Sequence, residues 1–362
     1  MNQLNVPRKQ KGRAAVGNRE GRFETVITEP FDDGWGSLEQ DPPPPPQTTV
    51  GVDASRTIIN RNTSPDLPFE LSVNPYKGCE HGCIYCYARQ THAYLGLSPG
   101  LDFETRLFAK PNGPELLEQA MRKRGYEPKP ITLGANTDAY QPIERTYEIT
   151  RKMLALLLEY RNPVAIITKS ALVLRDLDLL KAMAELKLVN VIISITTLDP
   201  HLARIMEPRA AAPHRRLEVI ERLREASVPV QVNAAPMIPA INDMELEAIL
   251  EASARAGAEA AAYIMVRLPY EVKDLFKDWL ASHFPDRAEH VMSLIRQTRD
   301  GKEYQADFQQ RMRGTGAYAQ LMRSRFKVAC SRLGLTGERL SNLETGFFRK
   351  PVRVGEQLSL FD

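Results

Sequence analysis

Lys77–Arg89 reads KGCEHGCIYCYAR and holds three of the four cysteines in a chain of 362 residues: Cys79, Cys83 and Cys86. The spacing is C-x3-C-x2-C, and Gly78 and Gly82 let the backbone turn tightly between the thiols. Thiolates are soft ligands suited to iron–sulfur clusters, zinc or copper(I). A closed structural zinc site takes four ligands, and only three cysteines are local. His81 sits between Cys79 and Cys83, two residues from each, where a further ligand would be strained. Cys330 is remote in sequence. A cubane cluster held by three thiolates leaves one iron open to a small molecule. Cysteines grouped three plus one do not form a disulfide framework; in a reducing compartment such a group is metal-binding or catalytic.

Around this loop the apolar pattern alternates between two periods. Runs rich in Ile and Val predict strands at 70–74, 130–135, 164–169, 189–195, 228–236 and 260–268. Amphipathic segments predict helices at Glu144 to Tyr160, Arg175 to Leu186, Arg215 to Ala226 and Asp243 to Ala256. Strand and helix alternating in this way imply parallel pairing with right-handed crossovers. The expected fold class is α/β, a partial (β/α)6 parallel barrel open on one side, with the cysteine loop directly after its first strand. Active sites of parallel barrels gather at the C-terminal ends of the strands. Those ends carry polar groups: Gly134 to Glu144 (GANTDAYQPIE), Thr168 to Ser170, Ser194 and Thr196, and Asn233.

Flanking segments differ in composition. Residues 1–66 read as a leader: a basic stretch from Arg8 to Arg22, then acids, then five prolines, Pro42 to Pro46. Such a segment buries little apolar surface and reads as disordered, or as a basic arm that docks on nucleic acid or on the domain's own acidic face. Residues 67–270 form the core, 271–350 a basic helical extension, and 351–362 a flexible tail. Between Arg311 and Thr336 lie six basic residues and no acid, interleaved with Tyr318 and Phe326. That pattern suits a nucleic acid held by phosphate contacts and stacking, or a solvated helix face. Lysine plus arginine total 48 against 45 acids, a net charge of +3, too small to imply an anionic partner. The chain carries no apolar run of membrane-spanning length and no secretory signal, so the expected location is cytoplasmic, with no membrane partner.

The C-x3-C-x2-C spacing with Tyr85 just before the last cysteine resembles the signature of radical S-adenosylmethionine (SAM) enzymes, over roughly residues 68–270. The resemblance implies a [4Fe–4S] cluster on Cys79, Cys83 and Cys86. Its open iron chelates SAM, and reduction, by a donor such as flavodoxin or ferredoxin, yields a 5′-deoxyadenosyl radical. Within that superfamily the stretch Thr137, Asp138, Tyr140, Gln141, Pro142, Glu144, the lysine of ITK and the serine on the fourth strand are similar to spore photoproduct lyase and its DNA repair photolyase-like relatives. This similarity implies that Lys169 and Ser194 contact the SAM carboxylate, that Thr137 and Asp138 lie beside its methionine or ribose, and that Tyr85 touches the adenine through its backbone. On their own, Lys169 reads equally as a strand-end lysine reaching solvent, Ser194 as a small core residue, and Glu144 as first-turn helix chemistry.

One departure stands out. That lyase returns a hydrogen atom from a cysteine near the end of its second strand, and no cysteine lies between Cys86 and Cys330 here. Cys330 and Tyr140 are the candidate replacement donors. Two other functions remain open: radical chemistry on a peptide or small molecule, and a non-catalytic iron–sulfur or zinc binding module recruited to the sliding clamp. At the far end, QLSLF resembles the motif by which bacterial replication and repair proteins bind the sliding clamp, with Gln357, Leu358, Leu360 and Phe361 as anchors. The alternative is that the tail folds back on the barrel.

Overall fold

The computed structural model describes residues 9–24, 47–336 and 343–351. The clamp-like residues Gln357, Leu358, Leu360 and Phe361 lie outside them. The strands are β1 (Thr49–Val52), β2 (Ile59–Arg61), β3 (Leu71–Val73), β4 (Tyr76–Lys77), β5 (Arg106–Ala109), β6 (Ile131–Leu133), β7 (Val164–Thr168), β8 (Val189–Ser194), β9 (Val230–Met237) and β10 (Ala260–Met265). One sheet runs β10-β9-β8-β7-β6-β3-β2, and a small one runs β1-β5-β4. All six strands expected from the sequence occur. They pair in parallel and in chain order, as right-handed strand–helix–strand connections require. β2 pairs antiparallel at the edge beside β3, and the sheet does not close, so the architecture is the open partial barrel.

Alternate residues decide what each face does. Val164, Ile166, Val191, Ile193, Val230, Val232 and Ala234 join the main apolar core between sheet and helices. The intervening positions turn inward. Across the strands they register as Ser72 beside Thr132, and as Ser194 beside Asn233 beside Ala262. The barrel interior is therefore lined by small and polar groups at the strand ends.

The helices depart from expectation at one place. The single helix expected from Glu144 to Tyr160 is two, Glu144–Tyr147 and Ile149–Glu159, separated by Glu148 with φ of 51°. The buried Glu144 carboxylate folds back to accept the Thr150 and Arg151 amides at 3.0 and 3.3 Å and the Arg175 guanidinium at 2.7 Å. It caps the second helix and is not a ligand of the site.

The leader is not uniformly loose. Ala14, Ala15 and Val16 are buried, and the described residues 47–66 contribute β1 and β2. The boundary at 66 therefore moves, because short exposed strands leave little apolar periodicity. Arg19 and Arg22 pair with Asp278 and Glu271, so the described part of the arm docks on the domain's own acids.

The basic stretch 311–336 is likewise corrected as a stacking surface. Phe326 is 6% exposed and packs on Tyr263 at 4.8 Å between ring centroids. Tyr318 donates its hydroxyl to Asp243. Arg311 and Arg325 pair with Asp66 and Glu247. The helix Gly316–Leu333 meets acids that come from other elements, and sequence order hides them.

Candidate active site

The cysteine loop follows β3 at the C-terminal end of the barrel. Cys79 and Cys83 are each 7% exposed, and Cys86 is half-buried. Backbone bonds shape the loop: Cys79 N–H to Phe103 O at 3.0 Å, Gly82 N–H to Cys79 O at 3.2 Å, and Cys86 N–H to Cys83 O at 3.2 Å. Gly82 has φ of +66°, and a Cβ there would stand 2.8 Å from the Glu104 carboxylate, so only glycine fits. Burial raises all three thiol pKa values, so loading metal here must expel protons.

Two buried arginine–glutamate pairs frame this loop, and the sequence reading missed both. Arg89 is fully buried and donates to Cys83 O at 2.9 Å, Gly82 O at 2.8 Å, Pro99 O at 3.0 Å and Gly100 O at 2.9 Å, with Glu104 as its counter-charge. On the other side Glu207 accepts from Arg216 and from the Tyr85 hydroxyl, and Thr196 Oγ1 lies 2.6 Å from it. Arg216 also donates to the Ser194 carbonyl at 3.1 Å and the Ala211 carbonyl at 2.7 Å. Burial raises the Glu207 pKa while Arg216 opposes the rise. Neither pair has a short-range sequence pattern; burial of their charges is what marks them.

The expected cofactor residues fall into two groups. Thr137 and Asp138 hold the architecture. Thr137 Oγ1 donates to Tyr76 O at 2.8 Å. Asp138 accepts from Thr168 Oγ1 at 2.8 Å, Tyr140 N–H at 2.9 Å and Lys169 N–H at 2.8 Å, with His81 Nδ1 at 3.3 Å. Burial alone would raise the Asp138 pKa; His81 and those amides bring it down to about 2. His81 is thus a partner of Asp138.

Tyr85, Lys169 and Ser194 form the second group: Tyr85 lies in the cysteine loop, Lys169 comes directly after β7, and Ser194 ends β8. Lys169 Nζ lies over the Tyr85 ring at 5.9 Å, and among the described residues no carboxylate forms an ion pair with it. Ser194 is 3% exposed. In register beside it, Asn233 presents a buried Oδ1 that has no hydrogen-bond partner among the described residues, and the same holds for Gln231 Oε1 deeper in the barrel.

Neither candidate hydrogen donor reaches this region. The Tyr140 hydroxyl donates to Asp176 Oδ2 at 3.1 Å inside the core. Cys330 packs in the outer core, and its carbonyl accepts from Leu335, next to Thr336, which bridges to Ala260 at the start of β10. That is the opposite end of the barrel from the cysteine loop.

Residues 73–252 match the family model described as the radical SAM superfamily. The chain belongs to the radical SAM superfamily. An uncharacterized protein of Mycobacterium tuberculosis is 34% identical over 232 residues, which cover 64% of this chain and 68% of that protein. An uncharacterized protein of Methanocaldococcus jannaschii is 30% identical over 173 residues, 48% of this chain and 62% of the other. Among solved structures, spore photoproduct lyase complexed with dinucleoside spore photoproduct superposes with a TM-score of 0.58 at 15% identity over 80% of each chain. A double mutant of that lyase with bound AdoMet and dinucleoside spore photoproduct gives 0.51 at 14% identity, again over 80% of each. At these identities the likeness is one of fold. It agrees with the open parallel barrel read from the strands, and superfamily membership implies SAM and an iron–sulfur cluster for this radical SAM chain.

Proposed function

We propose that this chain is a radical SAM enzyme whose [4Fe–4S] cluster sits on Cys79, Cys83 and Cys86 and whose substrate is a nucleic acid. The residues fit the cofactors. The loop offers three soft donors and no fourth. Beyond it, among the described residues, Lys169 has no carboxylate partner and Asn233 Oδ1, next to Ser194, has no donor. A zwitterion offers a carboxylate to the lysine and an amino group to the amide oxygen. Lys169 and Ser194 would hold the carboxylate, Asn233 would accept from the amine or ribose, and the Tyr85 backbone would border the adenine. Thr137 and Asp138 would position the loop and the end of β7 without touching the ligand. When bound, cluster and SAM supply reductive cleavage and hydrogen-atom abstraction. A low-potential donor such as flavodoxin or ferredoxin would provide the electron.

The substrate class rests on one cation beside the cysteine loop: the Arg267 guanidinium lies 5.3 Å from the Tyr87 ring centroid and forms no ion pair among the described residues. Arg22 and Arg311 also stand over rings, Tyr270 at 3.8 Å and Phe308 at 4.8 Å, but Glu271 and Asp66 already meet their charges. A cation beside a flat ring suits a phosphate and an unstacked base. Spore photoproduct lyase, the fold relative, binds a dinucleoside ligand, which supports the same class.

The test is fluorescence-anisotropy titration of single-stranded and duplex oligonucleotides over a salt series, with Arg267→Ala alongside. The expected result is salt-dependent binding whose slope falls by about 0.7–0.9 for each phosphate contact removed. SAM cleavage without oligonucleotide binding would transfer the reading to a peptide or small molecule.

A further inference from the structure

The N-terminal arm lies against the back of the cysteine loop. Ala15 N–H donates to Glu104 Oε1 at 3.0 Å, the same oxygen that receives Arg89. Arg13 Nη1 donates to the Glu104 carbonyl at 2.9 Å. Asn18 and Asp102 bond reciprocally, at 2.9 Å through side chains and 3.0 Å from the Asp102 amide. Ser98 donates its hydroxyl to the Arg19 carbonyl. A Cβ on Gly100 would stand 2.3 Å from the Gly17 carbonyl, so the two backbones are in direct contact. Ala14 belongs to the apolar cluster that contains Cys83, Ile84 and Tyr85.

These contacts converge on one pair. Arg89 collects carbonyls from both limbs of the loop, at 82–83 and 99–100. A fully buried guanidinium keeps that geometry only while its counter-charge is fixed. Glu104 is that charge, with 0% exposure. The Ala15 amide and the small side chains of Ala14–Gly17 seal it from water. A larger residue at Ala15, which is 0% exposed, would push the arm off.

We propose that residues 13–19 form the outer wall of the cluster seat: they fix Glu104, and through it Arg89, so that the arm governs how firmly the metal group is held. Glu104 and Arg89 are positioning residues in this scheme. The inference rests on reading Cys79, Cys83 and Cys86 as metal ligands, but its first readout needs no metal.

The test compares wild type, Ala15→Pro, Asn18→Ala and a chain lacking residues 1–12. Hydrogen exchange is followed by mass spectrometry on the metal-free chain, and iron release to a chelator is followed after anaerobic reconstitution. Ala15→Pro removes the amide donor and is expected to speed exchange of 79–92 about tenfold or more, as an opened buried polar contact does, with 189–194 unchanged. Iron release should quicken in the same variant. Asn18→Ala should give a smaller change in the same direction, and the truncation, which ends before the wall, should behave as wild type. Unchanged exchange at 79–92 in both substitutions would overturn the proposal. Faster exchange throughout the barrel would also overturn it, since the arm would then be a general stability element. Altered exchange in a chain that never takes up iron would leave the arm's hold on the loop standing and refute the cluster reading instead.

Discussion

Arg89 with Glu104, and Arg216 with Glu207, are both sealed pairs, every member 2% exposed or less. Their surroundings differ. Arg89 takes its partners from the loop and the segment just after it, and the arm closes over them. Arg216 reaches the Ser194 carbonyl at the end of β8, and its glutamate holds the Tyr85 hydroxyl. The first pair gives the loop its shape. The second ties that loop to the strand ends where a cofactor would lie. A buried charge in this molecule thus reports either internal framing or coupling between loop and barrel, and its partners tell which.

The largest effect expected on this comparison comes from its centre. Replacing Cys79, Cys83 and Cys86 together by alanine should abolish iron uptake on anaerobic reconstitution, measured as bound iron and visible absorbance, while both pairs stay intact and the chain still folds. The second concerns the barrel-side pair. Arg216→Ala leaves Glu207 buried without its cation and should cost about 3–5 kcal/mol in denaturant unfolding. The double change Arg216→Met with Glu207→Leu should recover much of that loss, because an apolar pair has no stranded charge. If the double variant is as unstable as the single, the pair contributes through Tyr85 and Ser194 beyond its own charge.

Much of the fold was legible because β-branched runs mark strands buried on both faces. Val164–Thr168 and Val189–Ser194 were placed to within a residue or two. β1, β2, β4 and β5 were not legible: each is at most four residues long, and β1 and β2 are largely exposed. The cysteine loop was legible from spacing alone. Arg89 lies in the same stretch as the cysteines, but its role depends on carbonyls at 99 and 100 and on Glu104, which no local pattern announces. Glu207 and Arg216 were invisible for the same reason. The arm misled by composition: Ala14–Gly17 is a small apolar run set among basic residues, and smallness here serves close approach. The C-terminal basic stretch misled in the converse way, because its neutralising acids lie elsewhere in the sequence.

A third prediction sharpens the cofactor side of the comparison. Lys169→Met should weaken SAM binding in equilibrium dialysis by about 10- to 100-fold, the range for losing a charge-assisted hydrogen bond, with little change in unfolding. A loss of stability in place of affinity would make Lys169 part of the frame.

The smallest effect is expected on the arm side. His283 is held at about 4, chiefly by burial, with Lys9 and His201 adding to the effect. Trp279 is its ring neighbour at 5.4 Å. A histidine whose folded pKa is depressed contributes stability that is present above its unfolded value of about 6.5 and is lost as pH falls through the folded one. Unfolding free energy should therefore drop between pH 6.5 and 4, and His283→Gln should flatten that component by about 1 kcal/mol after allowance for solvent screening.

The central claim is that the framed loop serves radical chemistry. Its most direct test is anaerobic reconstitution with iron and sulfide, reduction in the presence of SAM, and chromatography for 5′-deoxyadenosine, with the triple cysteine variant in parallel. Product formed by the wild-type chain and absent from the variant is the predicted result. A protein that holds zinc, or that binds an iron–sulfur cluster and leaves SAM intact under reduction, would contradict it.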